Sequence, residues 1–226
     1  MSGTASLLDR VADRGGYVDN LTISEGLAPG EVLDGIEFEA CHFEGAVLEG
    51  AVLRDCTFTD CVFIGCNLNR VKLTGSRFRD CRFVECTALA VVWTRARATT
   101  LSARPWDLER CRLDLASFQE AQIAGSRLVD CSLREADFGG ADAQWVDFAG
   151  SDLSRAVFVG TDLREASLMG CGRLRVRSVG EPGPGAEDRG GRRCGPARRD
   201  VAGRRRLTDA PLSDGEFRSS RRRWLV

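Results

Sequence analysis

Large apolar residues return at every fifth position along most of the chain. They occupy two long stretches: Leu33, Phe38, Phe43, Leu48, Leu53, Phe58, Phe63, Leu68, Leu73, Phe78 and Phe83, then Leu108, Leu113, Phe118, Ile123, Leu128, Leu133, Phe138, Phe148, Leu153, Phe158, Leu163 and Leu168. A small residue, most often Cys, Ala or Ser, stands two positions before most of them. The five-residue interval is constant from Ile36 to Leu168, so this stretch is a repeat and its fold has to be inferred from the repeat unit.

A period of five fits neither an α-helix nor simple strand alternation. Each unit has five positions: a small inward residue, a polar outward residue, a large inward residue, a second polar outward residue and a corner residue. This order predicts a short extended segment followed by a turn. Glycine is frequent at the corner, where left-handed backbone costs it least: Gly45, Gly50, Gly65, Gly75, Gly125, Gly140, Gly150 and Gly160. Units that turn the same way build a coil, and coils stack about 4.8 Å apart.

The pattern therefore predicts an all-β solenoid over residues 31–170, preceded by a leader with one helical turn and an imperfect first coil over 1–30. The large inward positions fill its interior, so ten phenylalanines are expected in the core: Phe38, Phe43, Phe58, Phe63, Phe78, Phe83, Phe118, Phe138, Phe148 and Phe158.

Candidate catalytic or metal-binding residues are scarce. Nine of the ten cysteines occupy the small inward position, where they are expected to act as small apolar residues rather than as ligands or disulfides. The single histidine, His42, lies in an outward position, and no glycine-rich phosphate loop occurs. We therefore predict no enzyme activity, metal or cofactor. No apolar run is long enough for a membrane span and the first residues lack a signal-peptide core, so the cytoplasm is the expected location.

Several units carry a more specific pattern. The segments ADFGG (136–140), SDLSR (151–155), TDLRE (161–165) and CNLNR (66–70) resemble the repeat of the pentapeptide-repeat family. That resemblance implies a right-handed quadrilateral β-helix with four units per coil.

Residue types depart from the repeat between 87 and 110, where Trp93 and Trp106 take core positions and Pro105 removes a backbone donor. Two interpretations stay open: a distorted coil or kink refilled by tryptophan, or an extruded loop that contacts a partner. The segment CTALAVVWT, followed by LERCRLDLASF, resembles the midpoint of the resistance-type members, the Qnr, MfpA and albicidin-resistance proteins.

The outward surface carries most of the charge. Residues 1–170 hold 26 acids and 17 basic residues. Acids in the position before the large residue, such as Asp137 and Asp152, are expected to bond nearby backbone donors. The corner acids are freer, and together with Trp93 they are the predicted partner contacts: Asp55, Asp60, Asp80, Glu85, Glu120, Asp130, Glu135, Glu165 and Trp93. If the register holds, Asp60, Asp80 and Glu120 share one face.

The resistance-type resemblance implies a DNA mimic that binds DNA gyrase or topoisomerase IV and protects it from quinolones or a related poison. The rod itself would then bind a protein, and neither nucleic acid nor membrane. The alternative is a generic pentapeptide-repeat scaffold with an unknown partner. A third hypothesis takes the arginine-rich C-terminal segment as a nucleic-acid-binding arm.

That segment, 171–226, holds 7 acids and 15 arginines, is rich in Gly and Pro, and has no period. Its composition predicts disorder. It also resembles a GC-rich gene translated in the wrong frame, so a frameshift is a further hypothesis. Resistance-type relatives form homodimers through a C-terminal apolar helix. The segment has no such pattern, and an uncapped coil end predicts an aggregation-prone protein or a weak, non-native dimer.

Overall fold

The computed structural model describes residues 7–12, 15–93 and 106–171. In this part of the chain, short strands from successive coils pair in parallel and in register, so the chain winds into a β-solenoid. Phe38 pairs with Phe58 and Phe58 with Phe78, so one coil spans four repeat units. The predicted all-β solenoid is confirmed. The predicted disordered tail lies outside the described residues.

The N-terminal end of the solenoid is covered by α1 (Leu7–Ala12). Leu7 and Val11 lie one helical turn apart, and both are buried in the same core as the repeat. The parallel ladder already begins at Tyr17. The imperfect first coil still supplies core residues: Val18, Ile23, Leu27 and Leu33.

The coil has four faces, which we number in chain order. Face 1 is the sheet of β1 (Tyr17–Asp19), β4 (Glu37–Glu39), β7 (Thr57–Thr59) and β10 (Arg77–Arg79). Face 2 is the sheet of β2 (Thr22–Ile23), β5 (His42–Glu44), β8 (Val62–Ile64), β11 (Arg82–Val84), β12 (Asp107–Glu109) and β13 (Arg127–Val129). Face 3 is a ladder of single bridges through Val47, Asn67, Thr87, Arg112, Ser132 and Asp152. Face 4 is the sheet of β3 (Val32–Asp34), β6 (Val52–Arg54) and β9 (Lys72–Thr74), with the bridged residues Val92, Ser117, Asp137 and Val157.

With the exception of Glu25, every fifth described residue from Gly15 to Gly170 turns the chain from one face to the next through left-handed backbone. Thirteen glycines have positive φ, and so do sixteen other residues, all of them in the corner position: Asn20, Ala40, Asp55, Asp60, Arg70, Asp80, Glu85, Ala90, Arg110, Leu115, Glu120, Asp130, Glu135, Trp145, Arg155 and Glu165. The interior overrides the local preference of these side chains, because a corner that failed to turn would take the following core residue out of the interior.

Aromatic columns fill the interior. Phe43 stacks on Phe63 with ring centroids 4.5 Å apart, and Phe63 stacks on Phe83 at 4.6 Å. Neighbouring columns meet edge to face, as Phe58 and Phe63 do at 5.6 Å. All ten expected core phenylalanines are at most 3% exposed. Each buried ring contributes roughly 1.5–3 kcal/mol through the area it removes from water.

The register changes once, at the predicted irregularity. Arg82 pairs with Val62, four repeat units earlier, but with Asp107, five repeat units later. Trp93 and Trp106 are both 1% exposed and continue the aromatic column, Trp93 lying parallel to Phe118 at 6.0 Å. Tryptophan therefore fills core positions on both sides of this change, and the chain between the paired residues is five residues longer here than elsewhere. The loop interpretation concerns residues 94–105, which lie outside the described residues.

Candidate protein-interaction surface

The corner residues form four edges along the solenoid. The first edge, between faces 1 and 2, carries Ala40, Asp60, Asp80, Gly125, Trp145 and Glu165. The second carries Gly45, Gly65, Glu85, Arg110, Asp130 and Gly150. The third carries Gly50, Arg70, Ala90, Leu115, Glu135 and Arg155. The fourth, between faces 4 and 1, carries Gly35, Asp55, Gly75, Glu120, Gly140 and Gly160.

All eight predicted corner acids are exposed, but they are spread over all four edges. Asp60 and Asp80 are neighbours on the first edge. The expectation that Glu120 joins them is wrong, because the extra unit between Trp93 and Trp106 moves Glu120 to the fourth edge. No single row of corner carboxylates runs along the described solenoid.

Several of the corner acids have close neighbours within the solenoid. Glu85 pairs with Arg110 at 3.0 Å and Glu135 pairs with Arg155 at 2.9 Å. The carboxylates of Asp55 and Asp130 extend over the glycine of the next coil. Exposed ion pairs add little stability, about 0–1 kcal/mol each, but they partly cancel the charge offered to a partner.

The acids before the large residue bond locally, as predicted. Their Oδ1 atoms accept the backbone N–H two residues on, at 2.8 Å for Asp137, 3.3 Å for Asp142, 3.1 Å for Asp147 and Asp162, and 3.0 Å for Asp152. The pKa of Asp152 is lowered by hydrogen bonds from the Ser154 hydroxyl and from Arg134. The pKa of Asp162 is likewise lowered, chiefly by the hydrogen bond from Arg164, because such bonds favour the charged form.

Trp93 and the repeat cysteines face inward. The Trp93 ring is enclosed by Phe83 and Phe118 and does not reach the surface. Eight of the described cysteines are buried, and their thiols donate to carbonyl oxygens of the preceding coil, as Cys66 does to Phe43 at 3.2 Å. The neighbouring Cys86 thiol and burial raise the pKa of Cys66, so the thiol stays protonated.

Charge alternates along the solenoid. Residues 15–60 hold ten acids and one arginine, residues 61–93 hold two acids and five basic residues, and residues 106–171 hold twelve acids and six arginines. The structure thus has an acidic N-terminal end, a basic middle and a moderately acidic C-terminal half.

The acidic N-terminal end concentrates carboxylates on face 1, where the register stacks Asp19 on Glu39 and Tyr17 on Glu37. The Tyr17 hydroxyl donates a hydrogen bond to Glu39, which raises the pKa of the tyrosine to about 12. Burial and the negative charges of Glu39, Asp19 and Glu37 raise it further in the same direction. None of these acids is among the predicted contacts. These residues lie side by side because one coil takes four repeat units, which places residue 19 next to residue 39.

On face 2, ion pairs neutralise the charge where the basic middle meets the C-terminal half. Arg127 contacts Asp107 at 3.0 Å, and Arg82 contacts Glu109 at 2.5 Å. Hydrogen bonding from Arg82 and the charge of Arg110 lower the pKa of Glu109. Because arginines and carboxylates alternate along the centre of face 2 and pair with each other, this region is a poor mimic of a polyanion.

Comparison with known families agrees with the four-faced geometry. A family model for the pentapeptide repeat region matches residues 36–114, and a second model, for pentapeptide repeats in eight copies, matches residues 136–171. Together the two matches take in half of the chain. The chain belongs to the pentapeptide-repeat proteins. No curated protein sequence matches it.

Solved pentapeptide-repeat structures resemble the chain at low identity. A trypsin-treated form of QnrB1, a plasmid-mediated fluoroquinolone resistance protein, is 22% identical over 69% of this chain and 78% of its own, with a TM-score of 0.27. HetL, a protein involved in heterocyst differentiation regulation in the cyanobacterium Nostoc, is 16% identical over 74% and 94%, with a TM-score of 0.33. A thylakoid-lumen protein of Arabidopsis thaliana is 19% identical over 55% and 64%, with a TM-score of 0.24. These likenesses concern the fold.

Among the described residues, no group of three or more His, Cys, Asp or Glu side chains is arranged to hold a metal ion. In the same ranges, no helix of this pentapeptide-repeat protein is long and apolar enough to cross a membrane.

Proposed function

We propose that this protein is a DNA-mimicking interaction rod. It binds the DNA-binding groove of DNA gyrase or topoisomerase IV and confers resistance to quinolones or a related gyrase poison. The main support for this proposal is the negative charge per unit length of the N-terminal coils.

Residues 15–60 make up a little more than two coils, which is roughly 11 Å of axis at about 4.8 Å per coil. Ten acids and one arginine give this stretch about one net negative charge per 1.2 Å. Duplex DNA carries about one per 1.7 Å. The N-terminal end therefore has the charge density that a phosphate-binding groove is built to receive.

The basic middle and the self-neutralised centre of face 2 limit the mimicry to part of the solenoid. We infer that contact with the topoisomerase is made first by the acidic N-terminal end, through Asp19, Glu37 and Glu39 on face 1.

A second candidate is a generic pentapeptide-repeat scaffold that presents its faces to another protein. It is favoured by the spread of the corner acids over four edges and by the ion pairs Glu85–Arg110 and Glu135–Arg155. Under this alternative the protein leaves topoisomerases unaffected.

Supercoiling by purified gyrase, with and without ciprofloxacin, separates the two candidates. The proposed function predicts protection from the drug or inhibition of supercoiling at micromolar protein. The double variant Glu37→Gln with Glu39→Gln should weaken that effect. The matched control, Glu85→Gln with Glu135→Gln, removes the same charge from ion-paired corners and should change little. No effect of the native protein would reject the topoisomerase assignment.

A further inference from the structure

Two bulky apolar side chains stand on the edges of the described solenoid, Trp145 and Leu115. Both occupy left-handed corners, with φ of 56° and 61°, and they are 61% and 58% exposed. A large side chain is disfavoured there, and glycine or a polar residue takes the position in most other coils. Neither residue gains burial in return, so packing within the solenoid does not account for them.

Three acidic residues lie close to Trp145 along the chain or on its edge, and the next coil also brings Arg164, which is paired with Asp162 at 2.7 Å. Glu165 follows it on the first edge one coil later and is exposed. Asp142 lies three residues before Trp145 on face 1, and Asp147 lies two residues after it on face 2. Each of these two aspartates uses Oδ1 for a backbone N–H, at 3.3 Å and 3.1 Å respectively, which leaves its second oxygen for another donor. The preceding corner on this edge, Gly125, has no side chain that could cover the indole.

Leu115 provides an internal comparison on the third edge, diagonally opposite. The next two corners along that edge are Glu135 and Arg155, which pair with each other at 2.9 Å. The adjacent carboxylate, Asp114, accepts the Arg134 backbone N–H and the Ser132 hydroxyl, both on Oδ1. Leu115 thus shares the exposure and backbone of Trp145, but the corner carboxylate on its edge is already paired with an arginine.

We propose that Trp145, Asp142, Asp147 and Glu165 form a docking surface for a basic loop of a protein partner, with an arginine of that loop lying over the indole. A guanidinium attracted by the ring quadrupole gains further from carboxylates at the rim of the same contact. Exposed tryptophan that becomes buried on binding typically dominates the affinity of such interfaces. The surface is assigned from charge complementarity alone and does not depend on the partner being a topoisomerase.

The test uses the full chain and a fluorescein-labelled octa-arginine peptide, with binding measured by anisotropy at low salt. Trp145→Gly should weaken binding about tenfold, and Trp145→Phe should retain most of the affinity. Leu115→Gly removes the matched side chain and should bind like the native protein. Trp145→Gly should also unfold no more easily than the native protein, because glycine relieves the left-handed corner.

The same variants are then titrated against intact gyrase. Equal peptide affinity for native protein and Trp145→Gly would overturn the docking surface, as would an equal loss in Leu115→Gly. A loss confined to Trp145→Gly supports it. If the peptide result holds while the native protein fails to bind gyrase, the docking surface stands and the topoisomerase assignment falls. If gyrase binds native protein and Trp145→Gly equally, gyrase is bound by another part of the rod, and the peptide result alone decides the docking surface.

Discussion

Replacing Gly150 with alanine separates two free-energy terms at one corner of the second edge. Gly150 has φ of 72°, and a Cβ added there would overlap Oδ1 of Asp130 and lie 3.1 Å from its Cγ. Gly65 lies on the same edge with φ of 60°, and a Cβ added to it would meet nothing within 4 Å. The two glycines therefore share the backbone strain and differ in the carboxylate of the preceding coil.

The expected magnitudes follow from this difference. Gly65→Ala should lower the free energy of unfolding by about 1–2 kcal/mol, the cost of a left-handed L-residue. Gly150→Ala adds a forced rotation of the Asp130 side chain, worth about 0.5–1.5 kcal/mol more. In an Asp130→Ala background the added term should vanish, since no carboxylate remains to be displaced.

The measurement is urea unfolding followed by circular dichroism for the native protein, the three single variants and the Gly150→Ala/Asp130→Ala double variant, with the slope of each transition checked for constancy. The double-mutant comparison gives the coupling between Gly150 and Asp130 directly. Equal loss in Gly65→Ala and Gly150→Ala, or no recovery in the Asp130→Ala background, would refute the inference that corner acids extend over the next coil.

The remaining predictions concern the inward slot and the acidic N-terminal end. Ser151→Ala should lower the free energy of unfolding by about 1–2 kcal/mol, because its buried hydroxyl donates to the Leu128 carbonyl at 2.6 Å. Ser126→Ala should be neutral or stabilising, because its hydroxyl is equally buried and finds no hydrogen-bond partner among the described residues. If urea unfolding shows a similar loss of stability for Ser126→Ala and Ser151→Ala, both predictions are wrong. The chain's single tyrosine, Tyr17, should titrate at about 12 instead of 10.0 by ultraviolet absorbance, and Glu39→Gln should return its pKa toward the usual value. Because the folded pKa is the higher one, this contact is fully present below pH 10.0 and is lost as pH rises to about 12, so an unshifted titration would exclude it.

The repeat made most of the fold predictable. Large residues at every fifth position identified the interior, and a small residue two positions earlier identified the second inward slot, so Phe138 and Cys131 could be placed without a structure. Frequent glycine identified the corner position, and the fixed spacing extends that prediction to corners without glycine. Asp130 therefore turns the chain just as Gly150 does.

The arrangement of the surface was less predictable, because it depends on which residues lie one coil apart. One extra unit between Trp93 and Trp106 shifts every later edge, and the count of five cannot reveal a change of whole units. For that reason Glu120 was predicted on the wrong edge. Trp145 was missed because its corner position carries no apolar pattern. The acids of face 1 could have been found by comparing positions four repeat units apart.

If the acidic rod and DNA bind the same groove of a type II topoisomerase, the two must compete for it. Competition can be measured by surface plasmon resonance, with the full-length protein bound to gyrase and linear duplex DNA added in increasing amounts. DNA should displace the protein competitively, and the affinity of the protein should fall steeply with salt, as it does for a polyanion. Simultaneous binding of protein and DNA, or no binding of the protein at all, would show that the rod does not occupy the DNA groove.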